Sequence, residues 1–214
     1  MEILKSFTVF FLCALTFVLS GCGGDPQGVQ ETTPQINTNG GELPLVKVTL
    51  GQEVTGNQGG YDTAGIVITS SNKVVTVTIK THTQGQIFGY QLYVAYKPAD
   101  LEYIGCQRGG FLGGDTVFPV SVMGSNKGAA DLVFNGWQKS TYQKAVLISE
   151  SRSGWNAPGF MGDGDILVLY FNAVSGNTTE LLFAESLLFE KIYTDEIPSP
   201  KSMDIPRYVQ FTPL

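Results

Sequence analysis

Three cysteines, one histidine and a short run of alternating glycine and aspartate are the residues of this 214-residue chain best equipped for chemistry. A cysteine thiolate is a nucleophile and a metal ligand. Histidine serves as acid, base or ligand near neutral pH, and clustered carboxylates hydrolyse glycosides or hold calcium. The arrangement of these residues argues against each use. His82, in Thr81-His82-Thr83-Gln84 at a strand end, has no second histidine with which to build a metal site, and no Gly-x-Ser-x-Gly elbow is present. It reads as a surface residue. Gly162-Asp163-Gly164-Asp165 offers two carboxylates where a calcium loop needs several oxygens, and its glycines read as the positive-φ positions of a turn. Cys106 closes the apolar stretch Tyr103-Ile104-Gly105-Cys106 and reads as a packed small residue. No glycine-rich phosphate loop leads from a strand into a helix. The sequence assigns no catalytic residue, no metal ligands and no cofactor, and the chain reads as a non-enzyme.

The remaining cysteines lie near the N-terminus. Residues 7–19 are almost entirely apolar, too short to span a bilayer comfortably but the length of a signal-peptide core. Leu19-Ser20-Gly21-Cys22 follows and resembles the bacterial lipobox, in which the cysteine is acylated and the peptide is cut before it. The resemblance implies that residues 1–21 are a lipoprotein signal peptide and that Cys22 anchors the mature chain to a membrane. Gly23, not aspartate, follows the cysteine, which favours the outer membrane or cell surface over the inner membrane by the same resemblance. Cys13 then leaves with the signal, so Cys106 has no intramolecular disulfide partner in the mature chain.

Residues 22–43, rich in Gly, Pro, Thr and Asn, have no periodicity and too little apolar surface to offset chain entropy; they read as a flexible tether. Residues 44–214 read as one folded domain. With 13 Lys and Arg against 19 Asp and Glu, scattered along the chain, there is no electrostatic footprint for nucleic acid. Short alternating runs lie at 45–50, 64–69, 74–79, 87–96, 101–104, 116–123, 129–134, 145–149, 166–174, 180–183 and 207–211. Val75, Val77 and Ile79 should face one way and Thr76, Thr78 and Lys80 the other. Tyr90, Leu92, Val94 and Tyr96 should likewise oppose Gln91, Tyr93 and Ala95. No window has a helical period. The pattern predicts an all-β sandwich of two packed sheets.

Residues 87–105 add a family resemblance. Gly89-Tyr90-Gln91-Leu92-Tyr93-Val94-Ala95-Tyr96-Lys97-Pro98, followed by Leu101-Glu102-Tyr103, resembles the strand and return of the cohesin family, with Lys97 where cohesins carry Asp. Asp163-Gly164 with the strand from Ile166 to Ala173 resembles a second cohesin segment, and Thr179-Glu180-Leu181 through Glu196-Ile197-Pro198 a third. The segments keep family order. The resemblance implies a jelly-roll sandwich of about nine strands, in the fold group of several cellulose-binding modules. It also implies a non-catalytic role: recognising dockerins, small calcium-loaded helical modules, through one sandwich face. Gly89 and Gln91 stand where cellulosomal cohesins carry polar Asn and Asp, so the partner is expected to be a protein other than a standard cellulosomal dockerin.

Gln91, Tyr93, Val168 and Tyr170 are the candidate partner-binding residues, because outward apolar and aromatic side chains exceed what solvent requires. This assumes that Leu167, Leu169, Phe171 and Ala173 point inward and Ile166, Val168 and Tyr170 outward. The other reading of 166–174 is a strand covered on both sides. Trp137 and Trp155, with Tyr142, fall in a stretch of weak strand pattern and are candidates either for stacking on a polysaccharide or for capping the ends of the sandwich.

Overall fold

A computed structural model describes residues 45–56, 62–118, 120–123, 144–153, 157–190 and 199–214. Cys22, the tether, the strand expected at 129–134, and Trp137, Tyr142 and Trp155 lie outside the described residues. The described residues form strands and no helix: β1 Leu45–Lys47, β2 Glu53–Thr55, β3 Asp62–Ser71, β4 Val74–Tyr96, β5 Leu101–Arg108, β6 Thr116–Val117, β7 Val120–Met123, β8 Lys144–Arg152, β9 Phe160–Ala173, β10 Thr179–Glu190, β11 Ser199–Ser202 and β12 Tyr208–Phe211.

The 23-residue β4 organises the molecule. Its first half, from Val74 to Thr83, pairs with β3 on one side and β9 on the other. Its second half, up to Tyr96, pairs with β10 and β8. Between them, at Thr83 to Ile87, the β9 register shifts, and β4 passes from one layer to the other. Sheet I therefore runs β2-β3-β4-β9-β5, and sheet II runs β1-β12-β10-β4-β8, with β6 and β7 on the far side of β8 and β11 on β10. β1 joins β12 in parallel; the other ladders are antiparallel. The β3–β4 hairpin turns on Asn72 and Lys73, both at positive φ (51° and 65°), as a two-residue turn matched to strand twist requires.

Between the sheets lies one core. Val75, Val77 and Ile79 from the first half of β4 join Tyr90, Leu92, Val94 and Tyr96 from the second, all buried, as alternation requires. Phe171 of β9 lies fully buried with its ring edge-on to Tyr96 of sheet II at 5.3 Å and to Tyr103 of β5 at 5.7 Å. The Tyr90 hydroxyl, kept protonated by burial, donates to the Ile166 carbonyl at 2.9 Å, a second tie between the layers. Nearby, Arg108 donates to the Thr116 hydroxyl, which donates to the buried Glu150 carboxylate, each at 2.7 Å. The Pro98–Leu101 return is fixed by Asp100. Its carboxylate accepts from Ser175 Oγ at 2.8 Å and from the buried Thr179 Oγ1 at 3.2 Å, pinning the β9–β10 connection.

Two expectations about β9 change. Gly162-Asp163-Gly164-Asp165 is not a turn but part of β9, paired with β4 at Thr83, His82, Thr81 and Lys80. Gly162 does adopt a positive φ of 106°, within the strand. Gly164 serves packing, since a Cβ there would sit 2.7 Å from the Phe111 ring. Ile166 does not point outward. Ile79 pairs with Leu167 and Lys80 with Asp165, leaving Ile166 as the extra residue of a β-bulge. The bulge turns Ile166 into the core, where it is 1% exposed.

Candidate functional site

Where a sheet covers a core on one side, its other face is normally polar. The outer face of sheet II departs from that rule. Alternation in the second half of β4 places Gln91, Tyr93 and Ala95 there, as expected from the sequence. Register adds their neighbours. Ala95 lies between Leu182 of β10 and Ala145 of β8, and Leu182 in turn lies beside Tyr208 of β12. These four side chains form a small apolar cluster of their own, separate from the core. One step along the strands, Tyr93 pairs with Leu147. One step further, Gln91 lies between Leu187 and Ser149. Phe189 stands beside Gly89 at the end of the strip. Tyr93, Leu147, Leu187, Phe189 and Tyr208 are all half-buried, so the strip reaches the surface.

The strip has a charged border that is internally neutralised. Lys97 Nζ lies 2.7 Å from Glu180 Oε2, and Gln210 Nε2 donates to Glu180 Oε1 at 3.1 Å. Burial pushes the Glu180 carboxyl up, but hydrogen bonds from Lys97, Tyr208 and Gln210 outweigh it and hold the group below its ordinary range. On the β11 side Lys201 pairs with Glu190.

Val168 and Tyr170 do not join this strip. They project from β9 onto the outer face of sheet I, opposite Thr78 and Thr76 of β4 and Gln107 and Gly105 of β5. The four candidates therefore divide between the two outer faces, Gln91 and Tyr93 on one and Val168 and Tyr170 on the other. The division follows from topology: β9 pairs along the first half of β4 and meets the second half only at Ile87. Val168, at 9% exposure between its neighbours, presents little surface, whereas Tyr170 is half-buried. Residues 166–169 are thus closer to the strand covered on both sides than to an exposed apolar face.

Sequence reading missed Leu147, Leu182, Leu187, Phe189 and Tyr208 as members of a surface. The outward position of Leu147 was available from alternation between Ala145 and Ser149. Leu187 and Phe189 lay beyond the expected end of their strand at residue 183, because β10 continues through a bulge between Phe183 and Ser186 to Glu190.

His82 lies at the surface as the sequence predicts, with its side chain 34% exposed, and is held there by two carboxylates. Its Nε2 lies 2.7 Å from Glu53 Oε1 and its Nδ1 lies 3.1 Å from Asp163 Oδ1. Asp165 pairs with Lys80 at 3.7 Å. Cys106 packs against the core as expected; burial raises its thiol pKa against a lowering hydrogen bond from Tyr103, which favours the protonated thiol.

No family model matches the chain, and no curated protein matches it. Among solved structures it is similar to a non-cellulosomal cohesin from the hyperthermophilic archaeon Archaeoglobus fulgidus, at 15% identity and a TM-score of 0.46, covering 71% of this chain and 91% of that one. It is similar to a cohesin module from a Clostridium perfringens family 33 glycoside hydrolase, at 6% identity and a TM-score of 0.48, covering 72% of this chain and 98% of that one. It is similar to a type II cohesin domain from the cellulosome of Acetivibrio cellulolyticus, at 14% identity and a TM-score of 0.46, covering 68% of this chain and 92% of that one.

Proposed function

We propose that this chain is a non-catalytic, membrane-anchored docking module that holds a partner protein against the outer face of sheet II. The observation behind this reading is the apolar and aromatic strip through Tyr208, Leu182, Ala95, Tyr93, Leu147 and Leu187, on a face that a solvated sheet would fill with polar residues. Half-buried tyrosines flanked by aliphatic side chains are the usual anchors of protein interfaces. The cohesin-like segment of residues 87–105 contributes Tyr93 to the middle of the strip, which favours a protein partner of the dockerin type, outside the standard cellulosomal set, over polysaccharide.

The test uses the immobilised full-length chain and a panel of proteins bearing paired calcium-loop repeats. Retention in calcium and release by chelator is the expected result, because the calcium folds the partner's recognition helices. If insoluble polysaccharide retains the chain and no protein does, the docking reading fails.

Anchoring is proposed through Cys22, with residues 22–43 as the tether and the domain on the extracytoplasmic side, at the outer membrane or cell surface. A Cys22→Ser chain should lose incorporation of labelled fatty acid and leave the membrane fraction. Retention of label in that variant would refute the lipobox reading.

A further inference from the structure

We infer that Glu53, His82 and Asp163 form a proton-operated latch that fastens the edge strand β2 to sheet I and loosens when His82 loses its second ring proton. Three observations combine. First, both ring nitrogens face carboxylate oxygens, Nε2 that of Glu53 at 2.7 Å and Nδ1 that of Asp163 at 3.1 Å. Carboxylates only accept, so both bonds exist together only in the imidazolium form; a neutral ring turns one lone pair towards a carboxylate.

Second, the path from Glu53 to His82 is open because of one glycine. Glu53 lies on β2, His82 on β4, and β3 runs between them with Thr63 opposite His82. The Glu53 side chain crosses β3 over Gly65, where a Cβ would sit 1.9 Å from Glu53 Oε1. Any larger residue at 65 would occupy the space now taken by the carboxylate.

Third, β2 has few other fastenings. Among the described residues it is a three-residue edge strand paired with β3 alone, with Val54 packed against the core, and it is bounded by the bonds from Gly51 N–H to Ile68 O (2.7 Å) and from Gly56 N–H to Ala64 O (3.2 Å). Short edge segments open at small free-energy cost, so one charge-assisted bond weighs heavily there.

The other groups around His82 do not displace this balance. On β4 itself Lys80 is paired with Asp165 of β9. From β3, Thr63 approaches the His82 carbonyl through its hydroxyl, at 3.5 Å. Asp204 bridges to the Thr63 backbone and adds a further acidic residue on that side. Glu53, against partial burial and with help from Asp163, holds the His82 pKa above its ordinary 6.5. Asp163 is 81% exposed and Glu53 31%, so the Glu53 arm is the stronger. The sign follows: stabilisation by the latch is complete below pH 6.5 and is lost as pH rises through the higher folded-state pKa.

The test is a pair of measurements on the full-length chain between pH 5 and 9. The His82 ring is titrated by NMR, and amide exchange of Gly51, Gly56 and the β2 ladder is followed after division by intrinsic rates. The expected result is a His82 pKa above 6.5, with β2 protection falling several-fold as that pKa is crossed. Glu53→Gln should lower the His82 pKa more than Asp163→Asn, and Gly65→Ala should mimic Glu53→Gln by displacing the carboxylate. His82→Gln should keep the fold and abolish the pH dependence of β2. A wild-type His82 pKa at or below 6.5, or β2 protection indifferent to pH, overturns the latch.

Discussion

A Phe171→Ala chain is expected to lose about 3–5 kcal/mol of folding stability, the range for a large aromatic removed from a well-packed core. Phe171 is fully buried on β9 of sheet I, yet its ring meets Tyr96 of sheet II at 5.3 Å as well as Tyr103 of β5 at 5.7 Å. Truncation therefore opens a cavity where the two layers join and removes two edge-to-face contacts at once. Domains of this size have about 5–15 kcal/mol in total, so the variant should lose a large fraction of its stability. Its melting temperature should drop by on the order of 10 °C, with a matching fall in the urea midpoint. Tyr170→Ser, one residue earlier and facing outward, should cost less than about 1 kcal/mol. Equal losses at 170 and 171 would mean that the strand is not oriented as described.

That contrast between neighbours also shows what the sequence could and could not disclose. Val75, Val77 and Ile79, and then Tyr90, Leu92, Val94 and Tyr96, are buried as their alternation predicts, because a pleated strand over one core leaves its side chains no other arrangement. Joining the two runs into the single strand β4 was not legible. The polar stretch Thr81-His82-Thr83-Gln84 looks like a strand end, but backbone ladders to β3 and β9 need no apolar side chains, and threonine suits a pleated surface. Ile166 escaped prediction for a different reason. A bulge is a property of the pair of strands, and one inserted residue reverses the side that alternation assigns.

The candidate site follows the same division. Gln91 and Tyr93 were legible as outward residues within one strand. Their company was not, since Leu147, Leu187 and Tyr208 arrive from strands tens of residues away, and only register says that they are neighbours. Placing Val168 and Tyr170 beside Gln91 required knowing which half of β4 pairs with β9. Apolar patterning alone cannot distinguish the halves, because both are buried on their inner side. The His82 contacts depended in addition on Gly65, whose missing side chain lets Glu53 cross a strand.

The division between faces sets up the largest effect expected on binding. Tyr93→Ser should weaken partner binding about tenfold or more, equivalent to roughly 1.4 kcal/mol or above, as expected for an aromatic near the centre of an interface. Leu147→Ser should act similarly, and because the two side chains are paired across β4 and β8, the double variant should deviate from the product of the single effects. Gln91→Lys supplies a variant that removes no apolar packing. It places an unpaired charge between Leu187 and Ser149, which a partner could cover only at a desolvation cost, so binding should fall while the urea midpoint holds. Tyr170→Ser, on the opposite face, should leave the dissociation constant unchanged. Calorimetric titration of the four single variants, each checked for an intact urea midpoint, gives the answer. If Tyr170→Ser weakens the complex while Tyr93→Ser and Gln91→Lys do not, the partner docks on sheet I. The apolar strip of sheet II would then need another occupant, for a half-exposed aromatic and aliphatic face is costly to leave in water.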